Sequence, residues 1–323
     1  MRILITGVAG FIGYSIALKL LSKKHKVIGV DNINNYYSKK LKIERLKNLK
    51  KYKNFIFFKK DCSSKNFLNF FIKDKPISLI IHLAAEVGVR NSYSFPGIYY
   101  KNNIESFFNI LEICRNKKSN LIFASSSSVY GSSKKKFFKE SYDTSSPISF
   151  YAATKKSNEV MAHAYAKNYN FTAVGIRFFN VYGPWGRPDM SIYKFTSQIT
   201  KKLPITIYGN GKQIRDFTYI DDAILMIEKI IKKFNKKNKF YFDIFNSGKG
   251  ECIKLNNLVS LLSKKIKINP KILKKKKQFG DVNFTNSSSE KILKILNFRP
   301  KVNLRDGIDN FLEWYYRVGK KIK

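Results

Sequence analysis

Apolar residues in the first half of the chain fall in short solid runs, separated by helix-length stretches in which they recur every three or four positions. The runs at residues 2–6, 27–30, 55–58, 79–83, 121–124 and 173–178 each have the length of a buried strand. The first is followed by Ile12, Ile16, Leu20 and Leu21, a helical spacing, and residues 104–114 and 154–167 read as further helices. Strands alternating with helices predict right-handed crossovers and a parallel sheet covered on both faces, an α/β doubly wound architecture. After Asn180 the pattern changes, with Gly183, Pro184, Gly186 and Pro188 in an irregular segment and lysine-rich stretches at 232–239 and 274–277. The expected organisation is a dinucleotide-binding domain over 1–179 and a smaller mixed α/β substrate-binding part over 180–323. Some segments of the second part are expected to return to the first sheet.

Composition narrows the class. The 323 residues include 27 Phe and 19 Tyr, too many large apolar side chains for a disordered chain. No run approaches the roughly 20 apolar residues of a membrane span, and residues 2–6 are followed by no cleavage-site pattern, so neither span nor leader is expected. Cys62, Cys114 and Cys252 are odd in number and lack ligand spacing, which favours a reducing, cytoplasmic setting without structural metal. The formal charge of +40 would attract polyanions. Its 52 Lys against 10 Arg are scattered rather than striped, the signature of an AT-rich coding sequence, so nucleic acid is not the expected partner.

Gly7, Gly10 and Gly13 form a GxxGxxG turn between the first strand and helix. Missing side chains there let the backbone approach a pyrophosphate over the helix N-terminus, which draws Phe11 and Ile12 into the same candidate site. Asp31, with Asn32 beside it, closes the next strand, where a carboxylate accepts from ribose hydroxyls and repels a 2′-phosphate; NAD is favoured over NADP. Asp61 and Cys62 follow the run at 55–58, where the acid is either placed to meet the adenine edge or is a solvated strand end. Leu83, Ala84 and Ala85 leave room for a cofactor at the end of their strand, while His82 reads as a hydrogen-bonded strand residue.

Tyr151 and Lys155 stand four apart at the start of a helix and so share a face, with Ser126 ending the preceding core strand. A nearby ammonium and a positive nicotinamide would favour the tyrosine phenolate, which could then accept a proton from a sugar hydroxyl shared with the serine.

The segments TGVAGFIG, HLAAEVGVR, ASSSSVYG, YAATKKSNEVMAHAYA, VYGPWGRPDM, RDFTYIDD and GDVNFT resemble the extended short-chain dehydrogenase/reductase family nearly end to end. Within it they are most similar to nucleotide-sugar 4-epimerases acting on UDP-glucuronate. The resemblance implies a Rossmann domain and a retained NAD that takes hydride from C4 and returns it to the other face of a rotated 4-keto sugar. It implies Ser126, Tyr151 and Lys155 as the active trio and Asn103 as a cofactor-side residue. For substrate it implies Arg215 at the diphosphate, Asp281 at the uridine ribose, and Arg187 in a loop closing over the nucleotide sugar. Asn180 would bond phosphate or sugar, and Arg90 either lines the site or pairs with a nearby acid. Related dehydratases and decarboxylases carry acids between the catalytic serine or threonine and VYG, where this chain has Ser127 and Ser128. Those two hydroxyls are expected to hold the substrate carboxylate so that a 4-keto uronate does not lose carbon dioxide.

Two departures keep a neutral-sugar alternative open, a UDP-glucose or UDP-N-acetylglucosamine 4-epimerase. Asn180 stands where uronate-specific members often have Thr, and Glu86 where relatives commonly have Gln. An RNA-binding protein on the same fold is a third class, against which the intact trio argues. The resemblance also implies a homodimer through the helices at 104–114 and 154–167, and a role in surface polysaccharide synthesis. Arginine is informative in so lysine-rich a chain, because a planar fork is retained where bidentate contacts need it; Arg90, Arg187 and Arg215 fall in site motifs.

Overall fold

The computed structural model describes residues 1–133, 135–234, 239–278, 280 and 282–322. Seven parallel strands form the main sheet in the order β3-β2-β1-β4-β5-β6-β10. They are β1 (Arg2–Thr6), β2 (Lys26–Asp31), β3 (Phe55–Lys59), β4 (Leu79–His82), β5 (Asn120–Ser126), β6 (Thr172–Phe178) and β10 (Tyr241–Ser247). Burial from both sides explains the apolar runs of the inner strands, whereas the edge strand β3 is only partly covered and leaves Ile56 53% exposed. Ile3 and Ile5 join one core with Ile16 and Leu20 of α1 (Phe11–Ser22) and Ile227 and Ile230 of α9 (Ile220–Phe234). Leu4 points the other way, into a core with Phe67 and Phe71 of α3 (Lys65–Lys73), Phe107 and Ile110 of α6 (Ser106–Lys117) and Ala162 of α7 (Phe150–Tyr169).

Helix ends follow local chemistry. Ser149 caps α7 by accepting from the Ala152 amide, and Asn170 ends it in the left-handed region. α2 spans Lys39–Leu49, and two single turns, α4 (Asn91–Ser94) and α5 (Pro96–Tyr99), lead to a π-helical turn over Tyr100–Glu105 before α6. The expected helix at 104–114 thus begins inside that wide turn and runs three residues further, to Lys117.

The remaining strands make two small sheets. One joins β7 (Asn180–Tyr182), β9 (Ile214–Tyr219) and β11 (Cys252–Lys254); the other pairs β8 (Ile205–Tyr208) with β12 (Ile272–Lys275). Helices α8 (Ser191–Thr200), α10 (Leu255–Ile266), α11 (Glu290–Leu296) and α12 (Leu304–Arg317) complete the chain. Among the described residues no helix is long and apolar enough to cross a membrane. Strand order reverses between β1 and β4, which places a crevice at the carboxyl edge of the sheet.

Candidate active site

A cavity of about 380 Å³ opens at that edge. Its floor is the turn after β1. Gly7 has φ +69, and a Cβ there would lie 2.8 Å from the Ala84 amide nitrogen, while at Gly13 it would lie 2.1 Å from the Gly7 carbonyl oxygen. Only glycine lets the turn close against both the next strand and its own helix, which leaves the N-terminus of α1 bare toward the cavity. The Gly10, Phe11 and Ile12 positions also line it. Asp31, at the end of β2, accepts from the Ala9 amide at 3.1 Å and the Ile33 amide at 2.8 Å. The same carboxylate therefore holds the glycine turn and faces the cavity with acceptor capacity to spare for hydroxyls. Asn32, Asp61, Cys62, Leu83, Ala84 and Ala85 continue the lining. This glycine cradle, helix terminus and strand-end acid fit a dinucleotide.

Ser126, Tyr151 and Lys155 meet on the opposite wall with Ser127 and Ser128. Ser126 ends β5 and caps a 3₁₀ turn over Ser127–Tyr130, accepting from the Ser128 amide at 3.1 Å. Burial pushes the Tyr151 phenol above its ordinary pKa, against a hydrogen bond with Ser126 and the charge of Arg187. Lys155 is not among the groups that oppose this rise. Lys155 instead donates to the Ala124 carbonyl at 3.0 Å, and burial lowers its pKa to about 8. His82 bonds Thr6 Oγ1 at 2.8 Å, and burial with the nearby Lys155 charge takes its pKa down to about 3, a neutral strand residue.

Asn180 and Arg187 also line the cavity. Arg187 forms a fork with Asp189, 3.1 Å from Nε to Oδ1, and lies 5.5 Å from the Tyr36 ring centroid. Asn103 is not on the wall. The π-helical turn buries it behind, where its amide accepts from the Glu86 N–H at 2.7 Å and donates to the Glu86 carbonyl and Thr154 Oγ1. Arg90 and Arg215 are not on the wall either. Arg90 stacks 4.9 Å from the Tyr208 ring centroid, and Arg215 donates to the Ile214 carbonyl at 2.9 Å and the Val282 carbonyl at 2.7 Å. Asp281 lies outside the described residues.

Several cavity residues carry no motif signal. Asn34, Tyr36, Tyr37 and Lys42 line it from the segment after β2. Lys42 donates to Asn34 Oδ1 at 2.6 Å, and burial lowers its pKa against the attraction of Asp31. Glu86 is buried in the wall with its carboxylate 3.2 Å from the Asn102 amide; burial raises its pKa, opposed by Asn102, Lys42 and Arg187. Behind the trio, Glu159 accepts from Ser125 Oγ at 2.7 Å and from Arg177 Nε and Nη2 at 2.8 Å each. This buried fork ties α7 to the ends of β5 and β6.

Residues 4–311 match the family described as GDP-mannose 4,6 dehydratase. Protein CapI of Staphylococcus aureus is 41% identical, with 99% of this chain and 100% of that protein covered. UDP-glucuronate 4-epimerase 2 of Arabidopsis thaliana is 37% identical over 99% of this chain and 78% of its own length. The crystal structure of UDP-glucuronic acid 4-epimerase from Bacillus cereus, in complex with UDP-glucuronic acid and NAD, superposes with a TM-score of 0.91. Identity to it is 32%, over 98% of this chain and 100% of that one. With a fold, a cavity and sequence relatives that agree from end to end, this chain belongs to the GDP-mannose 4,6 dehydratase family of extended short-chain dehydrogenases/reductases.

Proposed function

We propose that this protein is an NAD-dependent epimerase that interconverts UDP-glucuronate and UDP-galacturonate by transient oxidation at C4. The observation that carries the reading is the junction, in one cavity, of a dinucleotide cradle with Tyr151, Lys155 and three consecutive serine hydroxyls, Ser126 to Ser128. Relatives named UDP-glucuronate 4-epimerase that align over nearly the whole chain support it.

Bound NAD supplies a hydride acceptor and donor and, when oxidised, a positive charge that favours the Tyr151 phenolate. Asp31 holds the adenosine ribose, and the amides at the start of α1 face the pyrophosphate. Tyr151 removes the proton of the C4 hydroxyl and later returns it, with Ser126 bonded to the same oxygen. Lys155 holds a ribose hydroxyl and keeps positive charge beside the phenol. Asn180 bonds phosphate or sugar, and Ser127 and Ser128 take the sugar carboxylate. Hydroxyl donors without a neighbouring acid bind it but offer no base for C5. Arg187 exchanges Asp189 for substrate phosphate, Arg215 is assigned to the diphosphate and Asp281 to the uridine ribose.

Glu86 favours a second reading, a neutral UDP-hexose substrate, because a buried carboxyl in the wall opposes a further anionic group. Incubating the purified protein with UDP-glucuronate, UDP-glucose and UDP-N-acetylglucosamine separates the two. Formation of UDP-galacturonate is expected, and turnover of neutral sugars alone would overturn the uronate assignment. We also propose a homodimer through α6 and α7, whose outer faces expose Phe108, Val160 and Tyr169; light scattering at twice the 37.5 kDa chain mass is the expected result.

A further inference from the structure

Arg45 belongs to none of the groups above, yet its side chain is completely buried. It sits on α2 in line with Leu41 and Leu49, one helical turn away on either side, on the face turned to the core. Every acceptor that its guanidinium meets is neutral. Nη1 donates to the Ala9 carbonyl at 2.7 Å and to Tyr37 Oη at 2.6 Å; Nη2 donates to the Trp185 carbonyl and, at 3.3 Å, to the Gly186 carbonyl. Nε has no partner. No carboxylate pairs with Arg45 among the described residues, an expensive way to bury a charge unless the charge or the fork does something that neutral packing could not.

The acceptors say what that is. Ala9 lies inside the glycine turn, and the Ala9 amide is the one held by Asp31. Trp185 and Gly186 lie in the loop that carries Arg187 into the cavity. Trp185 has φ +63, a left-handed conformation that a bulky residue keeps only when its surroundings impose it. Its ring is held between Tyr14, at 5.3 Å, and Trp314, at 5.5 Å, and its carbonyl by Arg45. One rigid planar group thus bonds the turn that would carry the dinucleotide pyrophosphate and the loop that would close on the nucleotide sugar.

We propose that Arg45 is a positioning residue that couples the two ligand sites, so that occupancy of either one tightens the other. The inference rests on the reading of the cavity as a dinucleotide and nucleotide-sugar site. An anion over the glycine turn draws the cation toward Ala9, and the fork carries that constraint to the Trp185 and Gly186 carbonyls and so to the setting of Arg187. Lysine keeps the charge but cannot span both segments. Coupling of this kind is reciprocal.

The test is the rate at which bound NAD leaves the purified holoprotein, trapped by an NAD-consuming dehydrogenase, with and without saturating UDP. UDP is expected to slow release by about tenfold in the unaltered protein, within the usual span of coupled sites. In Arg45→Lys the ratio should collapse to within about twofold, with KM for UDP-glucuronate rising more than kcat falls. Tyr37→Phe, which removes one acceptor and keeps the fork, should give an intermediate ratio, and it carries the test alone if Arg45→Lys fails to fold. An unchanged ratio in a folded variant, or no UDP effect in the unaltered protein, overturns the coupling. If the protein instead holds no NAD and turns over no UDP-sugar, the functional reading itself has failed.

Discussion

Replacing Glu159 by Met removes the negative end of the ion pair beneath the wall that carries Tyr151 and Lys155. The Glu159 and Arg177 side chains are each only 4% exposed, so the guanidinium left behind could not be rehydrated without opening the core between α7 and β6. Breaking such a pair costs about 3–5 kcal/mol. The unfolding entropy expected of a cooperative chain of this length converts that into a melting temperature lower by about 4–7 °C. Changing both partners, Glu159→Met with Arg177→Leu, should restore most of the loss, because an apolar pair of similar volume is often as stable as a buried ion pair.

The pH dependence has a definite sign. Burial works against the Glu159 charge, but Arg177 and the Ser125 hydroxyl outweigh it and hold the pKa below the ordinary value. A depressed carboxyl contributes stability above its unfolded pKa and loses it as pH falls through the folded one. The gap between native and Glu159→Met melting curves should therefore be full at neutral pH and narrow below about pH 4. Differential scanning fluorimetry across pH measures it. A single variant melting within about 1 °C of the native protein, or a double variant no more stable than the single one, would refute the reasoning.

Four further outcomes follow from the same geometry. Tyr151→Phe should lower kcat for 4-epimerisation by about 10²–10⁴-fold, the usual worth of a positioned proton carrier, with UDP affinity by calorimetry unchanged. Gly13→Ala places a Cβ 2.1 Å from the Gly7 carbonyl oxygen and should yield protein without bound NAD, read from the absorbance ratio and nucleotide content after denaturation. Glu86→Gln should lower KM for UDP-glucuronate a few-fold and flatten its pH dependence. In the native protein KM should rise with pH as the Glu86 carboxyl, its pKa raised by burial, ionises beside an anionic substrate. Ser127→Ala with Ser128→Ala should increase the UDP-pentose by-product of UDP-glucuronate turnover, resolved by chromatography; an unchanged by-product fraction would remove those hydroxyls from carboxylate control.

What the sequence makes legible depends on whether a residue acts through its own local spacing. The glycine turn, Asp31, Ser126 and the Tyr151–Lys155 pair are each defined within a few residues by a strand end or a helical turn, and all of them line one cavity. Asn103 was legible as important but not in its geometry, because a π-helical turn rotates it behind the wall, onto Glu86 and Thr154. Glu159 stands one turn beyond Lys155 on the same helix, a visible spacing. Its partner Arg177 is visible as a cation inside the buried-strand run 173–178, but which acid it meets is hidden until Ser125 and Arg177 are seen side by side in register. Lys42 and Arg45 are hidden differently, within KKLKIERLKNL, a helix so basic that its buried cations look like solvated ones. The rule that arginine stands out against lysine applies to Arg45 as well as to the motif arginines. Its position in line with Leu41 and Leu49 was the available signal.

Charge in this protein consequently works at two ranges. The many exposed lysines that make up most of the +40 act through a field screened within about 8 Å at physiological salt, enough to gather an anionic substrate but not to orient it. Orientation falls to guanidinium forks held by definite acceptors. Arg177 on Glu159 fixes the helix that carries Tyr151 and Lys155; Arg187 on Asp189 is poised at the cavity; Arg45 bridges two backbone segments with no acid paired to it among the described residues. A carboxylate beside Arg45 would neutralise it locally and spare the cost of burial. It would also cancel the positive potential behind a turn whose ligand is a pyrophosphate. The missing counter-ion is then part of how an anion site is built from an uncharged glycine loop, with the opposite charge arriving in the ligand.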